Sequence, residues 1–267
     1  MTQLAWLTDI HLNFLSWEQV DEFLDMLNQH PADGFLISGD LTEAPLLEST
    51  FRSMELRLRK PVYFVCGNHD YYRGSITAVR QAIPAWIADL PTLTWLSGAG
   101  VIELSPSLGL IGHDGWGDGR YGDYDASPMI LNDFIVIEEL HLWSAQDRLV
   151  QLMALGDKSA AHFRQTLPAA LDAYPAVIVL THVPPFVETC LNDGQPSDAD
   201  GLPFFACKAV GDVLLEMAER YPHRQITVLC GHTHSACDVQ ILPNLRVLVG
   251  GATYKYPMVQ PQMFEIK

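Results

Sequence analysis

The stretch PVYFVCGNHD, residues 61–70, is an apolar run of β-branched and aromatic residues that stops at Gly67-Asn68-His69-Asp70. A short run of this kind, closed by a turn-forming glycine, reads as a buried strand. Its polar cluster then lies at the carboxyl end of that strand. The arrangement recurs along the chain. Leu4 to Thr8 leads into Asp9-Ile10-His11, and Phe35 to Ser38 into Gly39-Asp40. Two later apolar runs lead into Thr181-His182 and Gly231-His232-Thr233-His234. Open α/β sheets bind ligands beyond the carboxyl ends of their strands, so the five motifs predict one shared site.

Between the first motifs the pattern switches to helical spacing. Trp17, Val20, Phe23, Leu24 and Leu27 lie on one face, with Ser16 as N-cap, and predict a helix over Ser16 to Asn28. Glu43 to Arg59 and, despite Pro84, Ser75 to Ile87 read the same way. This β-α-β-α-β-α order implies a parallel sheet with right-handed crossovers. Further on, Val101 to Leu104 and Leu108 to Ile111 form a short-strand pair. Near the end, Ile226 to Cys230, Asp238 to Leu242, Leu245 to Val249 and Met263 to Ile266 are strands with little helix between them. The fold class is therefore α/β, with two packed sheets in a β-sandwich flanked by helices.

The stretch from about Gly112 to Gln165 departs from the alternation. It opens as a Gly- and Asp-rich loop with Trp116, Arg120, Tyr121 and Tyr124. Two helix-like segments follow, Asn132 to Leu155 and Lys158 to Tyr174. Long irregular stretches inside a compact domain are usually functional or disordered, and the aromatics argue against disorder. The reading is a lid-like insertion at about 112–165 in a single domain over 1–267. Repeats, linkers and low-complexity tracts are not visible.

Composition narrows the partners. With 267 residues and 48% hydrophobic content, one domain can bury a large core. A formal charge of −16 makes nucleic acid an unlikely partner, since its binding needs a basic stripe. Two divalent cations would bring that charge only to −12, which suits a small phosphate ester. The five cysteines lack a paired spacing, and Cys66 and Cys230 read as small core residues. Free thiols and an N-terminal apolar stretch that stops at Asp9 predict a cytoplasmic protein with neither signal peptide nor membrane span.

The motifs supply carboxylates, five imidazoles and one amide, ligands that suit a pair of Mn, Fe or Zn ions. Asp9 and His11, two apart on an extended strand end, are expected to point the same way and grip one ion. Asp40 has two oxygens and can bridge two cations about 3.5–4 Å apart. Asn68 adds a neutral oxygen, and His182, His232 and His234 complete the set. Asp-x-His or Gly-Asp alone carries little weight. Gly-Asn-His-Asp and Gly-His-Thr-His in order are much rarer.

From Trp6 to the terminal strands, these motifs resemble the calcineurin-like metallophosphoesterases, whose Asp-x-His, Gly-Asp, Gly-Asn-His-Asp/Glu, His and Gly-His-x-His pattern is complete here. The resemblance implies one metal held by Asp9, His11, Asp40 and His234, and another held by Asp40, Asn68, His182 and His232. It implies a hydroxide between the two metals that attacks phosphorus in line, with His69 as the acid that protonates the leaving group. The partner that orients His69 is Glu43, three residues after Asp40 as in protein Ser/Thr phosphatases, or Asp70. Departures narrow the branch. Ala44 replaces the arginine of the protein phosphatases, Leu41-Thr42 supplies no tyrosine ligand of the purple acid type, and Thr181 stands where bacterial cyclic-nucleotide phosphodiesterases usually have a histidine. The expectation is a phosphodiesterase or phosphatase acting on small esters, with Tyr72, Arg73, His113, Trp116 and Arg120 as substrate contacts. A nuclease and a non-catalytic scaffold on the same fold are the alternatives. The oligomeric state and the choice between monoester and diester stay open.

Overall fold

The computed structural model describes residues 2–142 and 144–266. Its first half alternates as the periodicity predicts. Strands β1 (Thr2–Leu7), β2 (Gly34–Ser38), β3 (Val62–Val65) and β4 (Leu93–Trp95) are parallel neighbours, connected through α1 (Trp17–Gln29), α2 (Leu47–Leu58) and α3 (Ile76–Trp86). Ser16 caps α1 in a reciprocal box. Its hydroxyl accepts the Gln19 N–H at 3.3 Å, and Gln19 Oε1 accepts the Ser16 N–H at 2.9 Å. Val20, Phe23, Leu24 and Leu27 are buried, whereas Trp17 in the first turn stays 49% exposed. The helix expected from Glu43 starts later. Pro45, which has no N–H, sits in a 3-10 turn over Ala44–Leu46, and α2 begins at Leu47.

The second half contains β5 (Ile102–Ser105), β6 (Leu108–Gly112), α4 (Asp133–Val136), α5 (Ala145–Ala173) and β7 (Ala176–Leu180). A two-residue pair follows, β8 (Leu191–Asn192) and β9 (Gln195–Pro196). Then come α6 (Leu202–Phe205), α7 (Lys208–Arg220), β10 (Gln225–Cys230), β11 (Cys237–Leu242), β12 (Leu245–Val249) and β13 (Met263–Ile266). One sheet has the order β11-β12-β10-β7-β6-β5, parallel inside with an antiparallel strand at each edge. β13 returns to lie antiparallel to β1, so the other sheet reads β13-β1-β2-β3-β4.

The two sheets face each other across a core that includes Trp6, Leu36, Leu110, Leu180 and Leu229. Trp6 Nε1 donates to Ser38 Oγ at 2.9 Å, which satisfies the one polar atom that the indole carries into this layer. The first sheet's outer face packs against residues of α1, α2 and α3, and the second's against α5 and α7. Strands covered on both faces have no solvent side, which is why their sequences are continuous apolar runs rather than alternating ones. Each fully buried Leu or Phe contributes about 2 kcal/mol through area removed from water. With the helices outside two packed sheets, the carboxyl ends of β1, β2, β3, β7 and β10 open onto a common rim.

The stretch from 112 to 165 differs from its sequence reading. The helix expected from Asn132 to Leu155 is split into α4 (Asp133–Val136), a 3-10 turn (Glu138–Leu140) and, from Ala145, the 29-residue α5, which also takes in the second expected helix; residue 143 lies outside the described residues. Gly156 and Asp157, the gap between the two expected helices, continue α5 without a break. A Cβ at Gly156 would lie 2.5 Å from the Asp118 Cβ, so this glycine serves close packing. Leu152, Phe163, Leu167 and Leu171 of α5 are buried. The helix is part of the outer layer, and none of its residues lines the cavity that holds Asp40, Asn68, His232 and His234.

Candidate metal centre

The strand-end loops turn sharply. Asp9, His11, Asp40, His232 and His234 all adopt positive φ, between 41° and 69°. Non-glycine residues rarely do so, and such backbone strain persists where surrounding structure holds it. Asp9 and His11 are therefore not extended, as their spacing suggested. They converge because both are left-handed. Hydrogen bonds from Asp9 N to Gly39 O (3.0 Å) and from His11 N to Asp40 O (2.9 Å) bind this loop to the next. Two motif glycines leave room for carboxylates: a Cβ at Gly67 would lie 2.1 Å from Asp40 Oδ1, and one at Gly231 would lie 2.0 Å from Asp9 Oδ2.

Asp9, His11, Asp40 and His234 each place one ligand atom within 4.8 Å of all the others. His234 Nε2 is 3.2 Å from Asp9 Oδ1 and 3.1 Å from His11 Nε2, and His11 Nε2 is 3.7 Å from Asp40 Oδ2. Asp40 turns its other oxygen the opposite way, with Oδ1 3.4 Å from His182 Nε2. It stands between this cluster and a second one.

The second cluster is short of hydrogens. His182 Nδ1 lies 2.9 Å from the Ser38 carbonyl, and His232 Nε2 lies 3.2 Å from the Phe204 carbonyl. Carbonyls only accept, so those nitrogens carry the ring hydrogens. The inner nitrogens, His182 Nε2 and His232 Nδ1, are then lone pairs 3.2 Å apart. Both also face Asn68 Oδ1, at 3.1 and 3.0 Å. The Asn68 amide nitrogen is directed away, to Asp133 Oδ1 at 3.0 Å and the Tyr72 hydroxyl at 3.3 Å. Three acceptors thus converge with no donor among them. A proton could satisfy part of this set. Burial lowers the affinity of His182 for a proton, yet the Asp40 charge outweighs it and pushes the pKa up to about 10. Burial and then the charge on His182 push His232 down to about 3. One proton cannot serve all three atoms, whereas a cation can, and with a cation in place of that proton the outward hydrogen bonds hold both rings as neutral ligands.

The sequence profile of the calcineurin-like phosphoesterases matches residues 2–236. The chain belongs to that family. Its fold is similar to that of a phosphopantetheinyl hydrolase from Mycobacterium tuberculosis, at a TM-score of 0.68 and 12% identity over 97% of this chain and 96% of that one. It is also similar to a dimetal phosphatase from Danio rerio, at 0.57 and 12% identity, covering 94% of this chain and 87% of that one. A Bos taurus transmembrane protein with a metallophosphoesterase domain is 35% identical over 79 residues, 28% of this chain and 18% of that much longer protein. Among the described residues of this phosphoesterase, no helix is long and apolar enough to cross a membrane.

His69 borders the phosphoesterase's two clusters. Its Nε2 is 4.0 Å from Asp40 Oδ2, and its ring stacks on Tyr72 at 4.1 Å. Its Nδ1 is buried and has no hydrogen-bond partner. Neither expected orienting acid reaches it. Glu43 is engaged by Arg73 Nε at 3.3 Å and Asn13 Nδ2 at 3.4 Å. Asp70 is fully buried and accepts the N–H groups of Thr42 (2.9 Å) and Gly67 (2.8 Å), which bolts the Gly-Asp loop to the Gly-Asn-His-Asp loop. Burial and the Asp40 charge push the Asp70 pKa up to about 8, against the backbone donors.

The central cavity of the phosphoesterase, about 180 Å³, is lined by Asp40, Asn68, His232 and His234 and closed by Tyr72, Asp133, Phe205 and Tyr254 among others. Of the five expected substrate contacts, Tyr72 lies in this wall and Arg73 lines an adjoining cavity. The other three lie elsewhere. Trp116 is buried in the first sheet's helix-side core, 5.8 Å from the Tyr71 ring, where its large apolar surface is removed from water. His113 is buried 5.0 Å from His162 of α5, with Nδ1 accepting the Gly115 N–H. Arg120 pairs with Asp118 (2.9 Å) and Asp157 (2.7 Å). The residues that sequence reasoning missed are Asp133, Phe205 and Tyr254. Asp133 orients Asn68, and Tyr254 places its ring 4.6 Å from His11. A lone acid in Leu131-Asn132-Asp133-Phe134 offers only a faint signal, an acid beside an apolar run.

Proposed function

We propose that this phosphoesterase is a dinuclear metal-dependent hydrolase of small phosphate esters. The observation that carries the reading is the convergence of Asn68 Oδ1, His182 Nε2 and His232 Nδ1 without a donor, beside the Asp9, His11, Asp40 and His234 cluster, with one Asp40 oxygen turned to each. The donor set of imidazole, carboxylate and amide suits two ions of the Mn, Fe or Zn type. Such a pair supplies Lewis acidity toward phosphoryl oxygens and a hydroxide at neutral pH.

The chain's own groups do the rest. Ser38 and Phe204 carbonyls fix the ring tautomers, and Asp133 turns the Asn68 oxygen inward. Gly67 and Gly231 let the carboxylates approach. His69, beside the cavity and outside both ligand clusters, is placed to give a proton to the departing oxygen. Tyr72 holds that ring by stacking. The acidic surface and the free cysteines agree with a soluble cytoplasmic enzyme on small substrates.

The test is a metal-supplemented screen of the full chain on p-nitrophenyl phosphate, bis-p-nitrophenyl phosphate and cyclic nucleotides. Turnover that needs added Mn, Fe or Zn and is abolished by a chelator is expected. Metal-independent turnover, or none with metal bound, contradicts the reading.

A further inference from the structure

Two side cavities adjoin the central one. The central one shares His69, Tyr72 and Asn132 with a cavity of about 230 Å³ that runs on to Phe14, Glu43 and Arg73. It shares Phe205 with another, of about 240 Å³, that passes Thr233 and reaches Met129, Asn192, Ser197 and Asp198. These two side cavities have no lining residue in common. The His69 ring is 4.6 Å from His11, while the Phe205 ring is 5.0 Å from His232. The two arms therefore leave from opposite ends of the row of ligands, one beside the proposed acid and one beside the second cluster.

The charge on these walls is unusual for a phosphate site. Among the described residues, neither lysine nor arginine lines the central cavity or the Phe205 arm, and the latter presents the Asp198 carboxylate. The other arm has Arg73, but its side chain is 70% exposed and Glu43 lies 3.3 Å from it. A phosphomonoester carries a second negative charge on a third unesterified oxygen. Here that oxygen would find neither lysine nor arginine in the central cavity or the Phe205 arm, and one arm would stay unfilled. A diester carries one charge and fills both arms.

We propose, on the basis of the phosphoester hydrolase reading, that the substrate is a phosphodiester of two uncharged organic groups. The departing alcohol lies in the Phe14–Arg73 arm beside His69, and the retained group lies in the Phe205 arm. Water supplies the oxygen of the new P–O bond, and the proton it gives up passes to solvent, from which His69 is reprotonated. The P–O bond to the alcohol in the His69 arm breaks, its oxygen keeps the bonding pair and takes the His69 proton, and the product is a phosphomonoester that keeps the other substituent. A nucleic-acid strand fits poorly, because its next phosphate would be set against Asp198.

The test compares bis-p-nitrophenyl phosphate with p-nitrophenyl phosphate on the metal-replete full chain. Both lose the same nitrophenolate, so they differ only in the retained substituent. The expected kcat/KM ratio favours the diester by at least tenfold. Gly201→Leu should lower that ratio at least tenfold, chiefly through the diester KM. Gly201 has an ordinary φ of −83°, and a Cβ there would meet Asp198 Oδ1 at 3.4 Å and Phe205 Cδ2 at 3.7 Å, so a longer side chain extends into the arm. Asn192→Trp, at an exposed position on the same arm, is the second variant should the first fail to fold. A wild-type preference for the monoester, or a ratio unmoved by the folded variants, overturns the two-arm assignment and leaves the hydrolase reading standing. Absence of turnover of both esters with metal bound removes the hydrolase reading and this proposal together.

Discussion

The strand-end loops and the stretch that follows β6 carry the same residue types, yet their polar groups are left in opposite states. After β6, Asp114 is buried and its carboxylate accepts from Tyr71 Oη (2.6 Å), Ser97 Oγ (2.5 Å), Arg80 Nε (3.0 Å) and Cys66 N (2.9 Å). Asp118 likewise accepts from Arg120 Nη1 and the Ala209 N–H. In the strand-end loops Asn68 Oδ1, His182 Nε2 and His232 Nδ1 face one another with no donor, and five candidate ligands sit at positive φ. A saturated buried network specifies and stabilises a fold, whereas an unsaturated one on a strained backbone marks where a ligand belongs. Residue type alone separates neither.

The contrast can be broken at its strongest point by His69→Ala. The metals should stay, and the rate should fall about 10²–10⁴-fold for esters with poor leaving groups. Nitrophenolate needs little protonation, so its loss should be smaller. Equal losses for the two leaving groups would contradict the acid role.

The saturated region should respond in stability instead. Burial holds the His113 pKa at about 3, against an ordinary 6.5. Below pH 6.5 the unfolded chain takes up a proton that the folded chain refuses until about pH 3. The folded state therefore loses stability as pH falls through this window and keeps it fully above 6.5. Between pH 6.5 and 4 this amounts to about 3 kcal/mol at about 1.4 kcal/mol per unit. His113→Gln should flatten the pH dependence of denaturant-derived stability by an amount of that order. An unchanged slope would show that His113 is not held neutral by burial.

A smaller effect is expected where the two regions touch. Asp133 of α4 receives the Asn68 amide and the Tyr72 hydroxyl, at 3.0 and 2.6 Å. Asp133→Ala should weaken metal affinity about 10–100-fold by freeing Asn68 to rotate, read by titration calorimetry. Smallest of all is Arg120→Ala. Its partners Asp118 and Asp157 lie outside the central cavity, so kcat/KM should stay within about twofold, as for a screened, partly exposed ion pair. A large KM change would restore the substrate contact expected from sequence.

The same contrast explains what the sequence could tell. The order of strands and the loops that bear Asp9, His11, Asp40, Asn68, His182, His232 and His234 were legible, because each is a local event, an apolar run that ends in ligating residues. The helix α1 was legible to its cap at Ser16. Four other features depended on partners far along the chain. β4 is three residues long, too short to register as a run. α7 was missed although its apolar spacing is regular. Gly211 interrupts it, and a Cβ at this position would lie 2.3 Å from the Pro185 carbonyl. The lid reading of 112–165 rested on the aromatics near Trp116; Trp116 and α5 pack into the core, whereas Leu131, Asn132 and Asp133 of the same stretch line the central cavity. Asp133 is separated from Asn68 by 65 residues, and nothing local distinguishes it from a surface acid.

The central claim is that Asp40 lies between two ions, and anomalous diffraction from crystals soaked in manganese tests it most directly. The account requires two anomalous peaks about 3.5–4 Å apart on either side of the Asp40 carboxylate. One should lie against Asp9, His11 and His234, and the other against Asn68, His182 and His232. Asp40→Asn should lose occupancy at both. A single peak in catalytically active crystals, or two peaks that survive Asp40→Asn undiminished, would contradict it.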